Sequence, residues 1–465
     1  MIAANGSHAL RVGILDHFSA GGVSRFLVAL VTHLALTHPE TEFQYFVSEA
    51  NVERDGLLEV FSAHDNVEVV PIRAAMPLSP EVPPPQPERG WLWTTAVAGL
   101  KAMPRLHLAL RRAYEHARDF ISPPPPPWYR YRLDPEPLQG LRRCHVVYMG
   151  WPYFVEPVDF QVPLVATFHD FHYEVFPEAY APDPLSVFRR QTPQWLRQCA
   201  TAVTSTRFIR SQLLEFYGDS APDVEVVFIP PYGFAAPDRA SVEETLDRLH
   251  VRKPYIVYSG SRSAHKNVAS IVRAVGALKE QGVDLRLVIT GHGTEVIGAA
   301  ESMSLTDPVH LIEEAIRETG LVRGQDFIPF GYVSNSDVDA LTAGADAVVS
   351  ASLYEAGCGP ALDAWQAGVP VAMSSIPPFL EQMERFGVEA WVFDPHDPSD
   401  IADKIRSAVF DTETSCAMAA RSRAALATYT WDDAAREYFR IMVEAIDKAG
   451  SGEASGDGRG QVVAR

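Results

Sequence analysis

The sequence predicts an α/β protein built from two doubly wound domains, and two observations carry that prediction. Short runs rich in Val, Ile and aromatic residues recur between stretches with helical spacing, and they do not alternate strictly between apolar and polar residues. This is typical of strands covered on both faces, and strands that alternate with helices form parallel sheets flanked by helices. The length of 465 residues also suits two domains, at about 100–200 residues per domain.

The predicted strands fall into two series, one for each domain. Pro231, Gly233 and Pro237 open the junction between them, so we expect a first domain at 1–235 and a second at 236–430. The predicted strands are 10–15, 43–47, 67–72, 145–150, 163–168 and 224–230 in the first series, and 255–260, 285–291, 327–331, 347–352, 369–374 and 390–393 in the second.

Two segments do not fit this minimal plan. An insertion at about 75–140 holds two proline-rich stretches with a helical pattern between them, and Lys101 to Arg143 carries an excess of five positive charges. This is either a solvated helix face or a patch that meets an acidic membrane surface or an anionic acceptor. The tail at 450–465 lacks apolar periodicity and is predicted to be disordered.

The composition excludes some classes of function. A net charge of −19 argues against nucleic acid as a partner, because phosphate binding needs a basic footprint. The four cysteines form no metal-like spacing, and neither a signal peptide nor a membrane-spanning run is recognisable. We therefore expect a cytoplasmic protein, with peripheral contact at the inner membrane face as a further option.

Candidate ligand-binding residues follow two of the predicted strands in the first domain. Gly21 and Gly22 lie between a strand and a helical pattern, where glycines let a ligand approach the backbone. A plain loop is the alternative reading, and two glycines alone favour it. His169 follows the strand at 163–168, at the end where open α/β sheets bind ligands. A structural histidine is the alternative there.

The second domain carries the stronger signals. The segment GSRSAHKN at 260–267 places Gly260, Arg262, His265 and Lys266 after a strand, where basic groups could neutralise a diphosphate. A surface cluster of charges is the alternative reading.

The segment EAGCGPALD at 355–363 follows another strand. Its carboxylates could bind ribose or sugar hydroxyls, and the amides of the helix that begins there could bind phosphate. An ordinary helix start with an acidic first turn is the alternative. The residues singled out here are Glu355, Gly357, Cys358, Gly359, Pro360 and Asp363.

These segments resemble the family-4 retaining glycosyltransferases of the GT-B fold, especially the mannosyltransferase-like members. The resemblance is carried by GSRSAHKN at 260–267, LVITGHG at 287–293 and the long segment at 330–371. It is looser in the first half, through SAGGVSRF at 19–26 and TFHDFHYEVFPE at 167–178.

The resemblance implies two facing Rossmann-like domains and a last helix, at 431–449, that crosses back to the first domain. It implies that Glu355 contacts the donor sugar, that Asp363 holds the nucleotide ribose, and that Lys266 with Arg262 or His265 binds the diphosphate. His169 would match the family's histidine. The second acid is shortened from Glu to Asp, and Ala356-Gly357-Cys358 replaces the usual Gly-Phe-Gly.

We therefore expect a metal-independent, retaining hexosyltransferase that uses a nucleotide-diphosphate sugar and needs no cofactor. The acceptor would be a glycan, a lipid-linked molecule or another hydroxyl compound. Asp337 and Asp339 are the candidate metal-binding pair, but they open a helical pattern and suit its first turn better. The alternatives are a non-catalytic homologue that acts as a binding subunit, a sugar-nucleotide epimerase and a phosphorylase.

Overall fold

The structure is a computed structural model that describes residues 9–17, 22–73, 132–153, 155–180, 182–233, 237–299 and 308–455. Gly21 and most of the proline-rich and basic insertion lie outside these residues. The described part of that region, from Arg132 onward, belongs to the body of the first domain, because Leu133 and Leu141 are buried in its core.

The first domain contains a parallel sheet with the strand order β3-β2-β1-β4-β5-β6-β7. Its strands are β1 (Arg11–Asp16), β2 (Glu42–Ser48), β3 (Val67–Ile72), β4 (Val146–Met149), β5 (Leu164–Thr167), β6 (Cys199–Thr204) and β7 (Asp223–Val226). Its helices are α1 (Gly22–Thr37), α2 (Glu49–Arg54), α3 (Leu57–Val60), α4 (Pro135–Leu141), α5 (His172–Val175), α6 (Pro182–Gln198) and α7 (Arg207–Tyr217).

The second domain contains a parallel sheet with the order β10-β9-β8-β11-β12-β13. Its strands are β8 (Tyr255–Ser259), β9 (Arg286–Thr290), β10 (Phe327–Gly331), β11 (Ala347–Ser350), β12 (Val371–Ser374) and β13 (Trp391–Phe393). Its helices are α8 (Arg239–Arg248), α9 (Val268–Glu280), α10 (Val309–Thr319), α11 (Asn335–Gly344), α12 (Gly359–Ala367), α13 (Pro377–Phe386), α14 (Pro398–Phe410) and α15 (Thr412–Leu426).

The last described helix, α16 (Trp431–Ser455), packs on the first domain. It contacts α1 and strands β4, β5 and β6. Tyr438 is buried there with its hydroxyl 3.4 Å from the Thr167 hydroxyl, and Lys448 pairs with Asp223 at 2.8 Å. This helix therefore joins the two domains, as the fold class predicted.

The predicted α/β class with two Rossmann-like domains is confirmed, and each of the twelve predicted runs overlaps a strand. Strand β6 was not predicted, because Cys199–Thr204 reads CATAVT and its small and hydroxyl residues do not form an apolar run.

The predicted disordered tail is wrong for its first residues, since α16 continues to Ser455. Extending a formed helix fixes one residue for each added hydrogen bond, so a long helix can run into a polar segment.

Candidate active site between the two domains

The candidate site lies where the strand order of each sheet reverses. The reversal falls between β1 and β4 in the first sheet and between β8 and β11 in the second. Open α/β sheets bind ligands beyond the carboxyl ends of strands at such a point. Gly22 follows β1, Lys266 follows β8 and Glu355 follows β11. The topology therefore places the predicted segments of the second domain on neighbouring loops.

Lys266 and Glu355 form an ion pair at this position. The ammonium group of Lys266 donates a hydrogen bond to Oε1 of Glu355, and the Ser352 hydroxyl donates to the same oxygen at 2.9 Å. Burial by itself lowers the pKa of Lys266, but the adjacent Glu355 carboxylate raises it above its ordinary value. Lys266 therefore stays charged although its side chain is only 24% exposed.

Asp170 brings a second carboxyl group to this pair from the first domain. Its Oδ1 accepts a hydrogen bond from the His172 amide at 3.0 Å. Burial raises the pKa of Asp170, the negative charge of Glu355 raises it further, and Lys266 lowers it. Lys266 thus interacts with carboxyl groups of both domains, which places the charged centre of the site at their junction.

His265 does not supply the second positive charge that the sequence allowed for. Its ring meets that of His172 edge-on, with the centroids 4.2 Å apart. Burial lowers the pKa of His265 to about 3, and the neighbouring His172 and Lys266 lower it further. A neutral imidazole is expected near pH 7, so the proposal of His265 as a diphosphate-binding cation is not supported.

Arg262 lies against the loop that follows β9. A Cβ atom added to Gly293 would lie 2.8 Å from Arg262 Nε, and Gly293 has a positive φ of 75°. A Cβ added to Gly291, whose φ is 128°, would lie 2.1 Å from the Gly260 carbonyl oxygen. The glycines here thus allow the loops after β8 and β9 to approach one another closely.

His169 is buried beside the first helix of the first domain. It is 7% exposed, and its ring meets Phe26 of α1 edge-on at 4.9 Å. Burial lowers the pKa of His169 to about 4, although a backbone hydrogen bond with Gly150 opposes this. Its Nε2 has no hydrogen-bond partner among the described residues. A buried nitrogen without a partner is a candidate for a contact that this structure does not contain.

Gly22 begins α1 and leaves open space beside the cleft. A Cβ atom added to Gly22 would meet nothing within 4 Å among the described residues. The predicted partner, Gly21, lies outside those residues.

One backbone amide of the glycine-rich segment at 355–363 already donates a hydrogen bond within the protein. The Cys358 amide donates to Gln382 Oε1 at 2.8 Å, and burial raises the pKa of the Cys358 thiol to about 11. A Cβ added to Gly357 would lie 3.7 Å from Gln382, whereas one added to Gly359 would meet nothing within 4 Å in the described structure. Gly359 and Pro360 open α12, so the open part of this turn is its helical start.

Asp363 lies one turn deeper in α12 than the sequence indicated. The first turn of that helix contains no acidic residue, and Asp363 is buried at 8% exposure. Its Oδ2 lies 3.5 Å from Nη1 of Arg25 on α1 of the first domain. The carboxylate therefore faces the other domain.

Asp337, the first residue of the candidate metal-binding pair, has another role. Asp337 is in the first turn of α11, which Ser334 caps, and its carboxylate pairs with Arg248. Burial raises the pKa of Asp339, and Arg25 lowers it. Within the described ranges no group of three or more His, Cys, Asp and Glu side chains is arranged to hold a metal ion.

Two residues of the cleft were not singled out from the sequence. Arg25 follows the glycine turn within SAGGVSRF, and Tyr354 directly precedes Glu355. The Tyr354 hydroxyl donates to Gln212 at 2.8 Å and accepts from the Phe171 amide at 2.9 Å. Proximity to the motifs was the available signal, but neither residue type indicates an interdomain contact by itself.

None of the described helices is long and apolar enough to cross a membrane.

Known proteins resemble the chain in sequence and in structure. Residues 247–425 match the family described as Glycosyl transferases group 1. The O-antigen chain mannosyltransferase B of Escherichia coli is 24% identical over 319 residues, which cover 65% of this chain and 78% of that protein. The D-inositol 3-phosphate glycosyltransferase of Salinispora arenicola is 26% identical over 255 residues, covering 52% of this chain and 54% of that protein.

A structural relative, Anabaena HepE in complex with UDP and glucose, superposes with a TM-score of 0.60 at 14% identity. The likeness covers 94% of this chain and 100% of that one. At this identity the superposition shows the fold. The chain therefore has the GT-B fold, and its residues 247–425 match the group 1 glycosyltransferases.

Proposed function

We propose that this chain is a retaining, metal-independent hexosyltransferase that moves mannose or a related hexose from a nucleotide diphosphate to a hydroxyl acceptor. The observation that carries the proposal is the Lys266–Glu355 pair at the reversal point of the second sheet. The Escherichia coli relative is a mannosyltransferase and HepE binds UDP with glucose, which supports a nucleotide-linked hexose as donor.

Lys266 would stabilise the negative charge of the departing diphosphate. Its ammonium group is held by Glu355 in this structure, and a phosphate oxygen could share or replace that contact. Arg262 and the start of α12 at Gly359 lie on the same set of loops and could bind the remaining oxygens. Fixed charges in a water-poor site stabilise a developing charge strongly, because they need no reorganisation during the reaction.

Glu355 would accept hydrogen bonds from the donor sugar, and Asp363 from the ribose. In the retaining reaction, the bond between the anomeric carbon and the phosphate oxygen breaks while the acceptor oxygen bonds to the same face of that carbon. The acceptor proton passes to the leaving phosphate oxygen. The protein then contributes positioning and charge stabilisation. His169, whose Nε2 has no partner within the described ranges, would contact the sugar from the first domain.

The acceptor would bind against the first domain, near Gly22 and the insertion. A glycan or a lipid-linked hydroxyl compound fits this proposal, and the excess of positive charge between Lys101 and Arg143 would favour an anionic acceptor or a membrane surface.

The test is a thermal-shift screen of UDP-, GDP-, ADP- and TDP-linked hexoses, followed by assays of donor hydrolysis and transfer. A donor that binds only the native state raises the melting temperature. Release of the sugar with retained anomeric configuration supports the proposal. An active chain that releases the inverted sugar contradicts it, and so does the absence of stabilisation by every donor.

A second candidate is a non-catalytic homologue that binds a nucleotide. It is favoured by the internal hydrogen bond of the Cys358 amide to Gln382, which occupies a backbone amide that a donor phosphate would use. Nucleotide binding without hydrolysis or transfer of any donor would support this alternative.

A further inference from the structure

Arg25 links the start of the first helix to Asp363 of the other domain. Its guanidinium lies 3.5 Å from Asp363 Oδ2 and 4.5 Å from the ring centroid of Tyr232, close enough for a cation–π contact. Tyr232 belongs to the connection between the domains and packs on Trp431 of α16, with the ring centroids 5.5 Å apart. Arg25 therefore sits where both domains and the crossing helix meet.

Asp363 is incompletely satisfied by these contacts. The residue is 8% exposed, and its Oδ1 has no hydrogen-bond partner among the described residues. A buried polar atom without a partner destabilises the folded protein unless a ligand or water supplies the missing hydrogen bond. Arg25 thus holds one carboxylate oxygen, and the other is buried without a partner in the described structure.

We propose that Arg25 is a positioning residue for the nucleotide half of the donor: it holds Oδ2 of Asp363 so that Oδ1 accepts a hydrogen bond from a ribose hydroxyl. This inference rests on the proposed function and adds a residue of the first domain to nucleotide recognition. Because Arg25 on α1 pairs with Asp363 on α12, nucleotide affinity would depend on the position of the two domains relative to each other.

The charges that face Asp363 give this role a pH signature. Burial raises the pKa of Asp363, Arg25 lowers it, and Asp339 on α11 raises it. The Tyr232 phenol faces the same cluster, whereas Arg423 on α15 lies beside Gly368, beyond the C-terminal end of α12. Without Arg25, the Asp363 pKa would rise further, and the carboxylate would be lost at a higher pH.

The experiment measures the affinity of UDP and GDP by calorimetry from pH 5 to pH 8 for the wild-type chain, Arg25→Gln and Arg25→Lys. We expect Arg25→Gln to bind the preferred nucleotide about tenfold more weakly at pH 7, because Asp363 loses the charged partner that orients its carboxylate. Its loss of affinity on acidification should begin at a higher pH. Arg25→Lys keeps the charge and should restore most of the wild-type profile.

Arg207→Gln is the matched control. Arg207 also reaches from the first domain to the second, where it pairs with Glu381 and Glu384 of α13, and in the described part of the chain it makes no hydrogen bond or ion pair with Asp363. If Arg25 were only a tether, both glutamine variants would change affinity alike and leave its pH dependence unchanged. We expect a shifted pH profile for Arg25→Gln alone.

A double-mutant cycle with Asp363→Asn completes the test. Asparagine does not titrate between pH 5 and pH 8. Asp363→Asn should therefore weaken nucleotide binding and remove its dependence on acid pH. Adding Arg25→Gln to Asp363→Asn should have little further effect on affinity. If Arg25→Gln weakens nucleotide binding equally in the wild-type chain and in Asp363→Asn, the role proposed for Arg25 is wrong while the proposed function still stands. A wild-type chain that binds no nucleoside diphosphate overturns the proposed function as well.

Discussion

Tyr354 of the second domain hydrogen bonds with Gln212 of the first, at 2.8 Å, next to the Lys266–Glu355 pair. The same hydroxyl accepts the Phe171 amide at 2.9 Å. One buried tyrosine thus connects the loop that holds Glu355 to the segment that follows Asp170. The site and the domain interface share their residues.

We expect Tyr354→Phe to weaken this interface. The change leaves the Phe171 amide and the Gln212 oxygen without their partner, and a buried unsatisfied group costs about 1–3 kcal/mol. Denaturant unfolding should show the loss, and kcat/KM should fall because the loop of Glu355 is less well positioned.

Tyr255→Phe is the control, since the Tyr255 hydroxyl donates to the Leu341 carbonyl within the second domain. It should lower stability to a similar degree without a comparable loss of kcat/KM. Equal kinetic losses in both variants would show that Tyr354 contributes only stability.

Glu355→Gln should reduce turnover while nucleotide binding largely survives. The substitution keeps the shape of the side chain and removes the negative charge of the carboxylate. That carboxylate accepts hydrogen bonds from the Lys266 ammonium group and the Ser352 hydroxyl. Removing one well-placed polar group from a transition-state site costs about 3 kcal/mol, or roughly a hundredfold in rate.

The matched control is Glu389→Gln, which breaks an exposed pair with Arg421 at 2.6 Å. It should leave turnover near wild type. Steady-state kinetics with the identified donor decides the matter: if Glu355→Gln turns over as fast as Glu389→Gln, Glu355 has no part in the reaction.

Sequence reasoning found the elements whose signals are local. Glu355 and Lys266 each follow a recognisable apolar run. The alternation of such runs with helical patterns was enough to predict both sheets. It missed β6 because CATAVT is buried through small and hydroxyl side chains instead of an apolar run.

The remaining features of the site depend on long-range contacts. His265 and Lys266 are adjacent in sequence, but only the packing of His172 against His265 shows that one is buried as a neutral ring while the other keeps its charge. Likewise, Arg25 and Asp363 are 338 residues apart. No local sequence pattern predicts that these two residues form a pair.

Acidification should destabilise the chain through His17. Burial lowers the pKa of His17 to about 4 from 6.5, although its ring bonds to the Tyr153 carbonyl at 2.7 Å. The unfolded chain therefore binds a proton more readily than the folded one. The stability due to neutral His17 is fully present above about pH 6.5 and is lost progressively as the pH falls toward 4.

Urea unfolding at pH 7 and at pH 5 should show a smaller difference in unfolding free energy for His17→Gln than for the wild-type chain. His396→Gln, at an exposed position, is the control and should retain the wild-type difference. An unchanged difference in His17→Gln would contradict this linkage.

Deleting residues 77–127 should affect transfer more than donor hydrolysis. The residues that flank this region, Ile72 and Leu133, are buried in the same apolar cluster, so a shortened connection is compatible with the first domain. The proposed donor site at Lys266, Glu355 and Asp363 should be retained. Equal loss of both activities, together with a lower melting temperature, would assign the segment a role in folding.

Activity should persist in excess EDTA, and Lys266→Ala should abolish it. A departing nucleotide diphosphate carries two to three negative charges, and many transferases neutralise them with a divalent ion held by two aspartates. Here Asp337 is already paired with Arg248, whereas Lys266 keeps its charge because Glu355 raises its pKa against the effect of burial. Asp337→Ala is the control and should turn over at the wild-type rate. If chelation stops the reaction, magnesium or manganese restores it and Asp337→Ala is inactive, the neutralising charge comes from a metal at Asp337 and Asp339, and the role given to Lys266 is wrong.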